Sequence, residues 1–91
     1  MATNFHMSSH KTRDSLHLKL EGNFDGNSAY ELFEIIKKYS SDFYEIFIDT
    51  NDLKAIYPFG REVFHKKLGT FKQPLSNLIF IGENRHKIAL N

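Results

Sequence analysis

Hydrophobic positions along the chain follow two kinds of pattern. Leu16, Leu18 and Leu20 alternate with polar residues, and this period of two predicts a strand with one face in water. The runs Ile46–Ile48 and Leu78–Ile81 are continuously apolar, which favours strands covered on both faces. We therefore expect these two strands to be adjacent and parallel in the middle of a sheet, with a crossover helix between them.

The leucine-rich strand is expected to end at the cluster of turn-forming residues 22–27, and a helix is expected after it. Ser28 and Glu31 have the spacing of a capping box, and Asp25 or Asn27 are alternative N-caps. The apolar residues of the helix recur at about 100° per residue and define one inward face. They are Ala29, Leu32, Phe33 and Ile36.

The remaining elements complete an alternating order. Phe5–Met7 is compatible with a short first strand, and residues 49–57 are expected to form a short loop. A second helix should begin near Pro58 and end at Gly69, because proline favours a first helical turn and glycine a C-terminal cap. Arg85–Leu90 has room for one or two helical turns. The order predicts an α/β fold with a mixed, largely parallel sheet and crossover helices.

Composition narrows the class of protein. The chain has 91 residues, 41% of them hydrophobic and 25% charged, which indicates one globular domain over residues 1–91. A net charge of +1 without a basic stripe argues against nucleic-acid binding. The absence of cysteine excludes disulfides and thiolate sites. The sequence has no apolar run of membrane-spanning length and no signal-peptide pattern, so a cytoplasmic protein is expected.

Several motifs, taken in order, give the chain a resemblance to a known family. A strand ends in a Leu-x-Leu-x-Gly-x-Phe-Asp pattern, and a later strand ends in Ile-x-Ile-Asp. The positions concerned are Leu18, Leu20, Gly22, Phe24 and Asp25, then Ile46, Ile48 and Asp49, then Leu53, Ile56, Gly60 and Gly82. In this order they resemble a STAS domain, the module named for sulphate transporters and anti-sigma factor antagonists. The resemblance covers about residues 14–82.

The resemblance implies a regulatory fold, and one departure from the family pattern limits it. Phospho-regulated members have Asp-Ser-Ser-Gly before the second helix, with the last serine phosphorylated by a partner kinase. Here the same positions are Tyr57, Pro58, Phe59 and Gly60. Because Phe59 has no hydroxyl group, we expect no phosphorylation of that kind at this turn. The family's last helix is also expected to be short or absent.

The candidate partner-binding residues lie in two turns. The resemblance places them in the Asp25 loop and in the segment before Gly60, and the residues selected are Asn23, Asp25, Tyr57, Pro58, Phe59 and Arg61. Phe59 has two interpretations, an exposed anchor or a core residue, because helical periodicity puts it at the edge of the inward face. For Asp25, helix capping is favoured over a contact with a partner or nucleotide.

Other chemistry finds little support in the sequence. The spacing of the five histidines does not predict a metal site. No serine has an adjacent base at a recognisable spacing, so we expect neither catalysis nor a cofactor. At the end of its strand, Asp49 is expected to hydrogen-bond its own loop.

The sequence thus predicts a non-catalytic, STAS-like interaction module of bacterial signalling or an accessory subunit. Partners in keeping with the resemblance are a sigma-regulatory kinase-like protein or a transporter ATPase subunit. Two alternatives remain open: a small-ligand-binding domain that uses the same loops, and a homo-oligomeric structural subunit such as a homodimer.

Overall fold

A computed structural model describes residues 4–71 and 75–89 of the chain. Their order is strand, strand, helix, strand, helix, strand and a short helix. The elements are β1 (Phe5–Lys11), β2 (Ser15–Phe24), α1 (Gly26–Tyr39), β3 (Glu45–Ile56), α2 (Pro58–Leu68), β4 (Leu78–Ile81) and α3 (Arg85–Ile88).

The four strands form one mixed sheet in the order β1-β2-β3-β4. β1 is antiparallel to β2, whereas β2 is parallel to β3 and β3 is parallel to β4. The expected α/β fold with a largely parallel sheet is therefore confirmed. So is the parallel pairing of the two continuously apolar strands, in which Ile46 lies beside Leu78 and Ile48 beside Phe80.

The helices cover one face of this sheet. Leu16, Leu18 and Leu20 of β2 are fully buried there, as are Ile46 and Ile48 of β3. They belong to one hydrophobic cluster that also includes buried residues of the three helices. These are Ala29, Leu32, Phe33 and Ile36 of α1, Phe64 and Leu68 of α2, and Ile88 of α3. The inward face predicted for α1 is thus confirmed.

The prediction of a central β4 is wrong. Among the described residues β4 is an edge strand, and Ile81 is 36% exposed. Its run is apolar for two separate reasons: Phe80 packs against Phe64 in the core, with ring centroids 6.1 Å apart, whereas Ile79 lies beside Phe47 on the opposite face. The continuous apolar run of β4 therefore reflects apolar neighbours on both faces of the sheet, although only one edge of this strand is paired.

Three strands are longer than the sequence predicts. β1 continues through the polar residues to Lys11, because its backbone pairs with β2 up to Leu16. β2 passes through the glycine turn cluster to Phe24 by way of two register irregularities against β3. β3 continues to Ile56 through the segment expected to be a loop, since that segment pairs with the end of β2.

The helix boundaries agree closely with their capping signals. α2 begins at Pro58 and has Gly69 as its C-cap, as predicted. α1 uses Asp25 as its N-cap and not the Ser28–Glu31 capping box. The expected tail helix is present as the single turn of α3, and Leu90 lies outside the described residues. No helix in residues 4–71 and 75–89 is long and apolar enough to cross a membrane.

Candidate functional site

Two of the three strand-to-helix junctions in the described residues lie side by side. One connects β2 to α1 through Asp25, and the other connects β3 to α2 through Tyr57. They are joined directly, because the Tyr57 N–H donates a hydrogen bond of 3.0 Å to the Phe24 carbonyl oxygen. The parallel pairing of Phe24 with Ile56 places both strand ends at the same edge of the sheet. The two predicted site segments are therefore adjacent in space.

Gly60 allows this close approach. A Cβ atom at position 60 would lie 2.7 Å from the Asp25 carbonyl carbon and 2.9 Å from its Cα. The obstructing atoms belong to the backbone, so they cannot move aside by a change of rotamer as a side chain could. Glycine is thus required where the first turn of α2 crosses the Asp25 junction.

Asp25 acts as a helix cap. Its Oδ1 accepts a 2.9 Å hydrogen bond from the Ser28 N–H and lies 2.9 Å from the Ser28 hydroxyl oxygen. These hydrogen bonds, that from the Ser28 N–H foremost, lower the pKa of Asp25 below its ordinary value of 3.8. Ser28 is fully buried, and its hydroxyl also lies 2.9 Å from the Asn23 carbonyl oxygen. The capping interpretation of Asp25 is confirmed.

Phe59 is exposed at the start of α2. Its ring is packed over the first turn of α1, because a Cβ atom built at Gly26 would lie 3.1 Å from Phe59 Cε2. The residue nevertheless remains 69% exposed. Phe59 is therefore not a core residue, and its role as an anchor stays a prediction. Tyr57, the residue before the helix, is 47% exposed.

An open groove of about 470 Å³ runs from the Asp25 junction along the seam between α1 and α2. It is lined by Asp25, Gly26, Asn27, Tyr30, Phe59 and Val63, and we call it the aromatic groove. Tyr30 is 50% exposed, and the Nζ of Lys67 lies 5.3 Å from its ring centroid. Sequence reasoning missed Tyr30, although an aromatic residue next to the inward-facing Ala29 was a usable signal.

The structure does not bring all the predicted site residues together. Asp25 and Phe59 line the aromatic groove, and Tyr57 and Pro58 lie exposed beside Phe59 in the chain. Asn23 instead lines a separate polar groove, and its N–H donates to the Asn4 carbonyl oxygen. Arg61 is exposed on α2, outside the lining of the aromatic groove.

The other residues considered from the sequence, Asp49 and the histidines, form no metal site in the described part of the chain. Asp49 lies inside β3 rather than at its end, and its Oδ1 accepts a 2.9 Å hydrogen bond from the Asn51 N–H, as expected of a residue bonded to its own segment. Within residues 4–71 and 75–89, no three side chains of His, Asp or Glu converge as a metal site would require.

Comparisons with known proteins found similar structures but no similar sequence. No protein-family model and no curated protein matches the sequence. The structure is similar to an anti-sigma factor antagonist STAS domain from Rhodobacter sphaeroides, with a TM-score of 0.64 and 12% identity over 89% of each chain. It is also similar to an uncharacterised protein of SpoIIAA-like fold from Shewanella loihica, with a TM-score of 0.60 and 13% identity over 91% of this chain and 73% of that one.

A third similarity is to part of a larger protein. Mglu gives a TM-score of 0.70 and 12% identity, over 86% of this chain and 20% of Mglu. The chain thus spans only a fifth of that protein's length. These similarities confirm the fold implied by the sequence motifs, a STAS-like, SpoIIAA-like fold.

Proposed function

We propose that this chain is a non-catalytic protein-interaction module that binds a regulatory protein through the aromatic groove. The observation that carries the proposal is the position of Phe59. Its ring is 69% exposed, yet one side of it is held against Gly26 by the packing of the two junctions. An aromatic ring already fixed in place loses little side-chain entropy on binding, which is the property of an interface anchor.

The neighbouring side chains favour a protein partner over a reaction. The Asp25 carboxylate is engaged with Ser28 in capping α1, and the Ser28 hydroxyl is buried. Tyr30 and Tyr57 add half-exposed aromatic surface near Phe59. Aromatic residues around an open groove suit the apolar side chains of a partner helix or loop better than a small polar substrate.

The fold supports one class of partner. One structural neighbour is an anti-sigma factor antagonist, which supports a regulatory partner such as a sigma-regulatory kinase-like protein. A transporter ATPase subunit is the second choice of partner. Either interaction would take place in a bacterial cytoplasm. Phe59 occupies the position where the family motif has its phosphoacceptor serine, so this binding is not controlled by phosphorylation of residue 59.

Capture of partners from a native lysate tests the proposal. We expect the wild-type chain to retain a regulatory protein and Phe59→Ser to lose about 1–2 kcal/mol or more of its affinity for that protein. Tyr44→Ser is the matched control, because Tyr44 is 81% exposed and lies away from the groove. Equal affinity of both variants for the captured protein would remove the groove from the interface.

A small-ligand-binding domain using the same groove makes a different prediction. Phe59→Ser would then leave the set of captured proteins unchanged and alter only the binding of a small molecule, detected as a ligand-dependent rise in melting temperature. That result would replace the proposed protein partner with a ligand.

A further inference from the structure

The face of the sheet opposite the helices carries an ordered set of side chains. Strand register places His10 of β1 beside His17 of β2, His17 beside Phe47 of β3, and Phe47 beside Ile79 of β4. These four residues form a row across the whole sheet, which we call the first row. The rings of His17 and Phe47 are stacked with centroids 4.7 Å apart, and those of His10 and His17 are 6.4 Å apart.

A second row lies two residues later in β2, β3 and β4 and two residues earlier in the antiparallel β1. It consists of Ser8, Lys19, Asp49 and Ile81 in the order β1 to β4. Lys19 and Asp49 are register partners of opposite charge in the two central strands. Lys19 is exposed, and its Nζ forms a 3.1 Å salt bridge with Asp52. Ile81 is 36% exposed at the edge. None of the three described helices covers these two rows, which we call the open face.

The pattern of the open face is self-complementary. A two-fold axis that runs parallel to the strands between β2 and β3 exchanges β2 with β3 and β1 with β4 when two sheets stack face to face. His17 then faces the second copy's Phe47, and Lys19 faces the second copy's Asp49. Each of these contacts occurs twice, as required of an isologous interface. His10 faces the second copy's Ile79 at the margins.

We infer that the open face is the contact surface for a second copy of this chain. Charge argues for this occupant, because Lys19 and Asp49 occupy positions that a two-fold axis brings together. It argues against a nucleic acid, since Asp49, Asp52 and Glu21 outnumber Lys19 around the stacked rings. The inference is independent of the aromatic groove, which lies on the helix-covered side.

The same geometry limits the strength of the assembly. In a third row, Glu21 lies beside Asp52, and the two-fold axis places like charges opposite each other there. With strands about 4.8 Å apart and rows about 7 Å apart, the first two rows and their margins bury about 400 Å² per copy. Stable interfaces bury about 800 Å² per partner, so a weak, reversible dimer is expected.

A charge-exchange experiment tests this pairing by sedimentation of the full chain. Alone, Lys19→Glu puts two acidic groups at each contact, and Asp49→Lys puts two basic groups there. Each variant should self-associate about tenfold or more weakly than the wild type. In a mixture of equal parts, every contact of the mixed dimer again joins opposite charges. We therefore expect the mixture to associate at least as strongly as the wild type.

Controls separate this surface from others. Lys37→Glu and Asp42→Lys make the same charge changes at exposed positions away from the open face, and their mixture should behave like the separate variants. Phe59→Ser should leave self-association unchanged, so failure of the dimer and failure of the proposed function are distinguishable. A wild-type chain that stays monomeric at millimolar concentration, or a charge-exchanged mixture no stronger than its components, overturns the inference.

A measurement on the wild type covers the case in which Asp49→Lys does not fold. Asp49 accepts the Asn51 N–H, so thermal melting of that variant is recorded first. Amide chemical shifts of the wild type are then followed as its concentration rises. Changes concentrated at residues 17–19 and 47–49 support the inference, and changes confined to α1 and α2 contradict it.

Discussion

The β2–α1 and β3–α2 junctions lie side by side but differ in where they place their aromatic residue and in how the helix is capped. At the β2–α1 junction the aromatic residue, Phe24, is fully buried, and the polar residue that follows caps the helix through the Asp25 carboxylate. At the β3–α2 junction, Tyr57 provides no side-chain cap, Pro58 begins the helix, and Phe59 is 69% exposed. The first junction uses its side chains for folding, and the second leaves an aromatic ring in solvent.

Under the proposed function, this difference separates residues that stabilise the fold from residues that are exposed and available to bind. The first junction provides a rigid surface: α1 begins at a capped turn, and Gly26 offers a flat contact for the Phe59 ring. The second junction can then vary its exposed residues at little cost to the fold, provided that Gly60 is kept. This division makes distinct predictions for residues of the two junctions.

The largest effect is expected from Phe24→Ala. The Phe24 ring packs edge-to-face against Phe5 and Phe64, with centroids 6.2 and 6.0 Å away. Loss of this buried ring should reduce the free energy of unfolding by about 3–5 kcal/mol through cavity formation. Urea denaturation measures the change, with the exposed Tyr44→Ala as the control. If Phe24→Ala lowered the free energy of unfolding no more than Phe59→Ala does, the proposed difference between the two junctions would be wrong.

Gly60→Ala should be the next most damaging change. The added Cβ overlaps Asp25 backbone atoms 2.7–2.9 Å away, so the junctions must separate at a cost of about 2–3 kcal/mol. Gly69→Ala is the matched control, because its Cβ would approach only helix carbonyl oxygens at 3.3 Å or more and φ is −67°. We expect the control to change stability by less than about 1 kcal/mol. Equal losses for the two glycines would refute the close-approach argument.

Asp25→Ala should cost about 1 kcal/mol, the usual effect of removing an N-cap. Asp25→Asn is the conservative comparison, because an amide oxygen still accepts the Ser28 N–H. The pKa of Asp25 is lowered in the folded state, so its charge-dependent stabilisation is present above pH 3.8 and is lost as the pH falls through the folded-state pKa. The advantage of the wild type over Asp25→Asn should therefore begin to shrink near pH 3.8 and be lost as the pH falls through the lower folded-state pKa. A pH-independent difference would show that the carboxylate charge is not involved.

The smallest effect on stability is expected from Phe59→Ser. Since most of the ring is already in water, the variant should lose less than about 1 kcal/mol of unfolding free energy, although its affinity for the partner falls. Thermal melting and partner titration on the same preparation give both numbers. A loss near 3 kcal/mol would assign Phe59 to the core and return the second junction to a folding role.

Local sequence signals were sufficient for much of the fold. Pro58 and Gly69 marked the two ends of α2, since their backbone preferences act without distant contacts. The periodicity of Leu16 to Leu20 identified the buried side of β2. The order of strands and helices, together with the Gly60 and Asp25 motifs, was enough to predict a STAS-like fold that the structural comparisons confirm.

Distant contacts decided the rest. The glycine cluster at 22–27 reads as a turn, but pairing with β3 keeps residues 22–24 in a strand through two irregularities. The apolar run of Leu78–Ile81 has the same composition in a central or an edge strand, and only the order of the sheet makes β4 an edge. Helical periodicity likewise left Phe59 at the boundary between core and solvent.

The sequence by itself therefore determined the order of the helices and strands, the two ends of α2 and the candidate N-cap Asp25, because those choices depend on neighbours along the chain. The tertiary structure decided that Phe59 is exposed over Gly26, that Tyr30 joins it in a groove, and that Lys19 and Asp49 lie side by side on an open face. Those outcomes depend on how α2 crosses α1 and how the strands align, and both are set by packing between residues far apart in the sequence.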